Sequence, residues 1–296
     1  MTNEFILQDR IQKIQQVIYE YGINKFIIGF SGGEDSTVLS ELVDLAVPNN
    51  RIPRVYCNTG IEYKSIVKFV EQKTEKDKRF EIIYPKVPIK QMLEKDGYPF
   101  KSKEHSEKLH SYQLNGYRVP YIETYYSGIK EDGTEINSRY RVPDCLRYQF
   151  EDPNALSFKV SKKCCDRLKK QPMADYQFYR RKPYSILGIR AEEGGGRRTS
   201  KCMVFSGQKL RIFQPLVAVT KDWEKWFIDT YNVQLAELYY PPYNFERTGC
   251  KGCPFAQELQ YELDTLERYF PNERKQCEII WKPVYEEYRR IGYRLK

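Results

Sequence analysis

At 296 residues, 41% hydrophobic and 30% charged, the chain is long enough to bury a sizeable core and too apolar to be a disordered tail. Its net charge of +9 suits anionic partners such as nucleotides or nucleic acid, although a solvated basic surface needs no partner at all. No apolar run approaches the roughly 20 residues of a membrane span, and Met1-Thr2-Asn3-Glu4 has no basic-then-apolar leader pattern, so a cytoplasmic protein is expected.

In chain order, residues 5–22 carry Leu7, Ile11, Ile14 and Ile18 at helical spacing. Lys25–Phe30 is a short apolar run that ends in Ser31-Gly32-Gly33, and helical periodicity resumes at Val38, Leu39, Leu42 and Val43. That pattern is strand, glycine turn, helix. Arg54–Cys57 is a second strand, closed by Asn58-Thr59-Gly60 and followed by a helix; Glu81–Tyr84 is a third. Strands alternating with helices at this spacing predict a parallel sheet with helices on its faces. Residues 97–150 are rich in Tyr, Gly, Pro and Ser and read as an insertion or lid of weak periodicity. A basic helix is expected over 155–182, strands at Tyr184–Ile189 and Arg211–Leu216, a helix around Trp223, Trp226 and Phe227, and helices at about 256–269 and 273–290, the last bent near Pro283. The expected division is an α/β domain over 1–218 and a helical, Cys-containing extension over 219–296.

The segment Ser31-Gly32-Gly33-Glu34-Asp35-Ser36-Thr37 leaves the first strand at its carboxyl end, where open α/β sheets bind ligands. Glycines let backbone N–H groups approach an anion, and the following helix adds the positive end of its dipole. The Gly-Lys-Ser/Thr ending of a Walker loop and the GxGxxG dinucleotide pattern are both missing. Arg190, at the end of the Tyr184–Ile189 strand, is delivered to the same sheet edge, and its planar fork suits phosphate or sulfate. Gly194-Gly195-Gly196 and Arg197-Arg198 extend it as a loop.

Eight cysteines in a chain of this size point to metal or redox chemistry rather than a disulfide framework, and with only His105 and His110 a His-rich metal site is not expected. Cys250-Lys251-Gly252-Cys253 is a good chelate, because the turn aims both sulfurs one way. The adjacent pair Cys164-Cys165 is less usual for zinc, since neighbouring helical side chains diverge by about 100°, and suits a cluster with several iron corners better. Cys57, Cys145, Cys202 and Cys277 are expected as small buried apolar residues. Lys162, Lys163, Arg167, Lys169 and Lys170 surround the pair, and Lys169 is the best functional candidate among them. Lys101, Ser102 and Lys103 form a polar stretch that would close over a ligand; His105 beside them reads as a surface residue.

The string Ser31-Gly32-Gly33-Glu34-Asp35-Ser36 resembles the SGGxDS pyrophosphate loop of the ATP-pyrophosphatase superfamily. Asn58-Thr59-Gly60 is similar to the DTG loop of its phosphoadenylyl-sulfate (PAPS) reductase branch, with Asn58 replacing Asp. Gly188-Ile189-Arg190-Ala191-Glu192 is similar to the branch's substrate-contacting GIRAxE element. The two cysteine strings look like the CC…CxxC motif of adenylyl-sulfate reductases and of DNA-phosphorothioation sulfur-transfer enzymes. The resemblance covers roughly 25–255, in the family's order, and implies an adenine nucleotide alpha-hydrolase-like parallel sheet sandwiched by helices. It implies that Ser31, Gly32, Gly33, Asp35, Ser36, Thr37, Asn58, Thr59 and Gly60 bind an adenine nucleotide, ATP or adenylyl sulfate, with Mg²⁺ assisting. It implies a [4Fe-4S] cluster on Cys164, Cys165, Cys250 and Cys253, zinc being the alternative, and catalytic roles for Asp35, Arg190 and Lys169.

The reaction is narrowed by two departures. Sulfonucleotide reductases use a mobile C-terminal Glu-Cys-Gly-x-His nucleophile, a string missing here, and their phosphate loop is degraded whereas this one is intact. Both favour ATP pyrophosphate cleavage, with adenylylation of an acceptor and displacement by sulfur, over sulfate reduction with thioredoxin. A non-catalytic nucleotide- or nucleic-acid-binding module ranks third. A nucleic-acid acceptor and a sulfur-donor protein are the expected partners.

Overall fold

The computed structural model describes residues 2–296. The chain forms two compact units that interleave in sequence: one contains the residues up to Lys86 together with Lys170–Thr248, the other Val87–Lys169 together with Gly249–Lys296. The first therefore runs past residue 218 and includes the helix Lys221–Tyr231.

The first unit is built on a six-stranded sheet: β1 (Phe26–Gly29), β2 (Arg54–Cys57), β3 (Phe80–Ile83), β4 (Tyr184–Leu187), β5 (Met203–Ser206) and β6 (Lys209–Phe213), in the order β3-β2-β1-β4-β6-β5. All neighbours are parallel except β5 and β6. β1 pairs along its whole length with β4, Phe26 facing Tyr184 and Gly29 facing Leu187. The chain turns from β1 outward to β2 and β3 and later returns to β1's other side as β4, so the order reverses at β1/β4, the position where open α/β sheets hold ligands. This is the mixed α/β, mostly parallel sheet that the alternation of elements predicts.

Apolar burial fixes that arrangement. Phe26 and Ile28 of β1 pack with Val38, Leu39 and Leu42 of the helix Glu34–Ala46, and the same cluster takes in Trp223 and Phe227. The N-terminal helix Asn3–Tyr21 adds Leu7, Ile14 and Ile18, its start capped by the Thr2 hydroxyl, which accepts from the Phe5 amide at 3.3 Å. Thr220 caps Lys221–Tyr231 in the same way, accepting from the Trp223 amide at 3.2 Å. β5, half-buried at Met203 and Val204 and exposed at Phe205 and Ser206, pairs antiparallel with β6 and lies outside the strands the sequence pattern predicts.

In the second unit the 97–150 stretch is more helical than its composition suggests, with helices at Lys103–Asn115 and Pro120–Ser127. The periodicity is hidden because the inner face of the first helix carries His105 and Ser106, both fully buried, next to Leu109 and Tyr112. His105 is thus a core residue and not a surface one. Its Nδ1 is 3.0 Å from the Tyr125 hydroxyl and its Nε2 2.8 Å from Gln149 Oε1, and burial pushes its pKa down to about 3. The basic segment turns helical only at Cys164, passes through a wide π turn at Asp166–Lys170 and continues as Gln171–Arg180 in the first unit. The bend foreseen near Pro283 is a break: Pro271–Ile280 ends, and Lys282–Arg290 starts with Pro283 in its first turn, where a missing N–H costs nothing. No helix among the described residues is long and apolar enough to cross a membrane.

Candidate functional site

The turn after β1 is shaped by its own hydroxyls. Ser36 Oγ donates to the Gly33 carbonyl at 2.9 Å and accepts from the Ser31 amide at 3.1 Å, while Ser31 Oγ lies 3.0 Å from Ser36 Oγ and accepts from the Gly33 amide at 3.3 Å. Thr37 Oγ1 also donates to the Gly33 carbonyl at 2.9 Å. Ser36 and Thr37 are buried and shape the turn; Ser31 is exposed. Gly32 has φ +73°, a left-handed conformation that favours glycine, and a Cβ there would stand 2.7 Å from Ile66 Cγ2. The loop leads directly into the N-terminus of Glu34–Ala46, whose dipole favours an anion in front of it. The Glu34 amide donates to the Tyr239 hydroxyl at 3.1 Å, which in turn lies 2.6 Å from Thr248 Oγ1. Burial pushes the Tyr239 pKa up to about 12, so the phenol stays protonated at physiological pH.

The neighbouring βα turn after β2 is also self-satisfied. Asn58 Oδ1 accepts from the Gly60 amide at 3.0 Å, and Thr59 donates through its amide and hydroxyl to Glu62 at 2.9 and 2.8 Å. Gly60 has φ +84° and a Cβ there would meet nothing within 4 Å.

From β4, Gly188 passes so close to the glycine loop that a Cβ would lie 2.7 Å from the Asp35 carbonyl oxygen and 3.2 Å from the Ser36 nitrogen. Gly188→Ala is therefore expected to cost about 1–3 kcal/mol and to displace the loop, because the obstacle is backbone. A thermal melt and a nucleotide titration check this, and an unchanged melting point together with unchanged affinity counts against it. Two residues on, Arg190 is buried at the same edge. Its Nε donates to Asp35 Oδ1 at 2.7 Å and lies 3.2 Å from Glu224 Oε2, and its Nη1 is 3.1 Å from Glu192 Oε2. Burial pulls its pKa down, but hydrogen bonding to Asp35 and the charges of Glu224 and Asp35 outweigh that and raise it. Asp35 and Arg190, 155 residues apart, are thus brought into direct contact.

Glu224, from the first turn of Lys221–Tyr231, has no sequence signal for function. It is 0% exposed, and neither carboxyl oxygen makes a hydrogen bond of good geometry; its close partners are Arg190, the Asp35 carboxyl and, at 3.7 Å, Lys221 Nζ. Lys221 also pairs with Glu34. Burial first, then the negative charge of Asp35, push Glu224 up to about 8 against the pull of Arg190. An acid whose pKa is raised by folding contributes stability below its unfolded value near 4.5 and loses it as pH climbs towards 8. Glu224→Gln is accordingly expected to gain stability relative to the native protein as pH rises from 5 to 8. Paired melts across that range test this, and a constant difference refutes it.

The second unit holds all four candidate metal thiols. The adjacent Cys164 and Cys165 share a hydrogen bond, which pushes Cys164 up and Cys165 down to about 6; Lys103 and Lys169 further lower Cys165, against its burial. Cys253 is raised by burial and by the charge of Cys250, and the charges of Cys250 and Cys253 reach Cys164. The two pairs thus sit within electrostatic range of each other, with Lys169 and Lys103 beside them. Such a donor set suits zinc or iron–sulfur chemistry. Among the described residues, however, no group of three or more Cys, His, Asp or Glu stands ready to hold a metal ion.

The CxxC loop is held from the C-terminal helices. Lys251 is buried with its ammonium 2.8 Å from Glu273 and 2.7 Å from Gln276. Trp281 Nε1 donates to the Lys251 carbonyl at 3.2 Å, the Tyr285 hydroxyl to that of Gly252, and both the Tyr288 hydroxyl, at 3.0 Å, and Arg294, at 2.7 Å, to that of Pro254. Gly252, at φ +59°, leaves space that Cys277 fills: a Cβ there would be 2.8 Å from Cys277 Sγ. Of the four cysteines expected in the core, Cys57 and Cys277 are buried, Cys202 is half-buried and Cys145 is exposed. Cys145 lies outward because its 3₁₀ turn, Asp144–Phe150, turns Leu146, Gln149 and Phe150 inward.

Residues 25–117 match the phosphoadenosine phosphosulfate reductase domain. A search of curated proteins finds no match. Among solved structures, the chain is similar to a phosphoadenylyl-sulfate reductase from Candida auris in its phosphate complex (11% identity, 84% of this chain and 96% of that one, TM-score 0.44). It is also similar to the U34-tRNA thiolase NcsA from Methanococcus maripaludis with its [4Fe-4S] cluster (14%, 99% and 80%, 0.39). A third is an NH3-dependent NAD synthetase from Campylobacter jejuni (12%, 99% and 96%, 0.42).

Proposed function

We propose, on the match of residues 25–117 to the phosphoadenosine phosphosulfate reductase domain, that this protein is an enzyme that binds an adenine nucleotide at Ser31–Thr37 and cleaves ATP between its α- and β-phosphates. The observation that carries the reading is the position of that loop at the carboxyl end of β1, at the order reversal of the sheet, with Arg190 arriving from the end of β4. An acceptor oxygen attacks the α-phosphorus and pyrophosphate leaves. Loop amides, the helix N-terminus and Arg190 balance the charge that develops on the departing group. A sulfur nucleophile then displaces AMP from the acceptor. Mg²⁺ would accompany the nucleotide and neutralise part of its charge.

Cys164, Cys165, Cys250 and Cys253 are the residues that would hold an iron–sulfur cluster. Two thiol pairs within charge range of each other, one of them made of adjacent residues, suit a centre with separate metal corners, zinc being the alternative. Such a group supplies soft, sulfur-binding metal chemistry when bound. Lys169 and Lys103 stabilise negative charge there.

Reduction of a sulfonucleotide is the weaker reading. It needs a mobile, ionisable thiol, and Cys277, the last cysteine, is fully buried on the helix Pro271–Ile280, where burial pushes it up to about 12. The deciding experiment uses protein purified without oxygen and compares pyrophosphate release from ATP with sulfite release from adenylyl sulfate plus thioredoxin. Pyrophosphate alone supports the proposal; sulfite release that disappears in Cys277→Ser replaces it with the reductase reading. Turnover of neither substrate, with tight nucleotide binding, would leave a binding module.

A further inference from the structure

Arg190 is surrounded by three carboxyl groups. Asp35 comes from the phosphate loop, Glu192 from its own loop and Glu224 from the helix Lys221–Tyr231, at 2.7, 3.1 and 3.2 Å. Glu224 differs from the other two because it is wholly buried, it sits on a regular helix, and its oxygens lack well-aligned hydrogen bonds. A buried carboxyl group in that condition is costly to keep, and packing does not explain it, since its helix is already anchored through Trp223 and Phe227.

The contacts fall on two of the three guanidinium nitrogens. Asp35 and Glu224 both approach Nε, and Glu192 approaches Nη1. Among the described residues no protein acceptor takes Nη2. A guanidinium held at two nitrogens presents its remaining N–H groups in a set plane, and less rotational freedom is lost when an anion arrives. We infer that Glu224 is a positioning residue: packed against Nε, whose one N–H goes to Asp35, it fixes where the Arg190 guanidinium stands and leaves Nη2 to receive a phosphate oxygen of the nucleotide. The other charged groups around it fit that task. Lys221, one turn back on the same helix, pairs with Glu34 and stands 3.7 Å from Glu224, so it offsets the acidic excess without competing for Arg190. The inference rests on the nucleotide reading of the loop and specifies how that loop is completed from a helix nearly two hundred residues away in sequence.

The test is a set of ATP and inorganic pyrophosphate titrations on the full chain: native, E224Q, E224A, R190A and the two double variants with R190A. Circular dichroism reports folding. E224A is expected to weaken binding about tenfold, and E224Q, which keeps an acceptor of the same shape, about threefold. In the R190A background both losses should vanish, because Glu224 acts through Arg190. Native-like affinity in the single variants, or losses that persist undiminished on top of R190A, would overturn the inference; a merely structural carboxylate gives the second pattern. Should E224A fail to fold, the isosteric E224Q decides by the same comparison. Native protein that binds neither ATP nor pyrophosphate would instead overturn the nucleotide reading beneath it.

Discussion

Asp35→Ala is expected to lower nucleotide turnover by a factor on the order of 10²–10³ while leaving the fold intact. Asp35 lies in the first turn of Glu34–Ala46, and its side chain is 27% exposed, so its removal leaves no large cavity. The stability at stake is the favourable placement of an acidic group at a helix start, about 0.3–1 kcal/mol. The functional stake is larger. Asp35 makes the shortest contact to Arg190, at 2.7 Å, and without it the guanidinium retains only Glu224 and Glu192. Pyrophosphate release from ATP, measured alongside circular dichroism and a melt, checks both halves. Unchanged turnover would remove the glycine loop from the mechanism.

Replacing Cys250 and Cys253 together by Ser is expected to abolish bound metal, at least tenfold in iron or zinc per chain, since a hydroxyl is a poor ligand for soft metals. The loop itself should keep its shape, because the carbonyls of Lys251, Gly252 and Pro254 are held by Trp281, Tyr285 and Tyr288. Iron, sulfide and zinc analysis of protein purified without oxygen is the measurement. Stoichiometric zinc with no iron in the native protein would end the cluster proposal, and metal retained by the double variant would remove these thiols from the site.

Features written in neighbouring residues were legible before the structure. The strand–glycine–helix unit at 25–46 announces itself because the apolar run, the turn and the resumed periodicity are contiguous, and Arg190 because it ends a recognisable strand. What was not legible reaches the loop from far along the chain. Tyr239 caps the Glu34 amide and Glu224 touches Arg190, yet each sits in an ordinary local context, a Tyr-rich turn and an amphipathic helix. Burial of polar side chains caused the other failures. The helix Lys103–Asn115 reads as irregular because its inner face includes His105 and Ser106, whose hydrogen bonds the sequence does not reveal. Adjacent thiols at Cys164 and Cys165, expected to diverge along a helix, instead hydrogen-bond at the entry to a π turn.

The interleaving of the two units has a consequence for how the protein is made. Cys164 and Cys165 leave the ribosome well before Cys250 and Cys253, an interval on the order of ten seconds at ordinary elongation rates. During that time the α/β unit, whose last strand ends at Phe213, can close on its own nucleus, whereas the thiol-bearing unit still lacks its C-terminal helices. A metal centre on all four cysteines, as proposed above, would be completed only after Cys253 has emerged, and until then the earlier pair would stand open to oxidation.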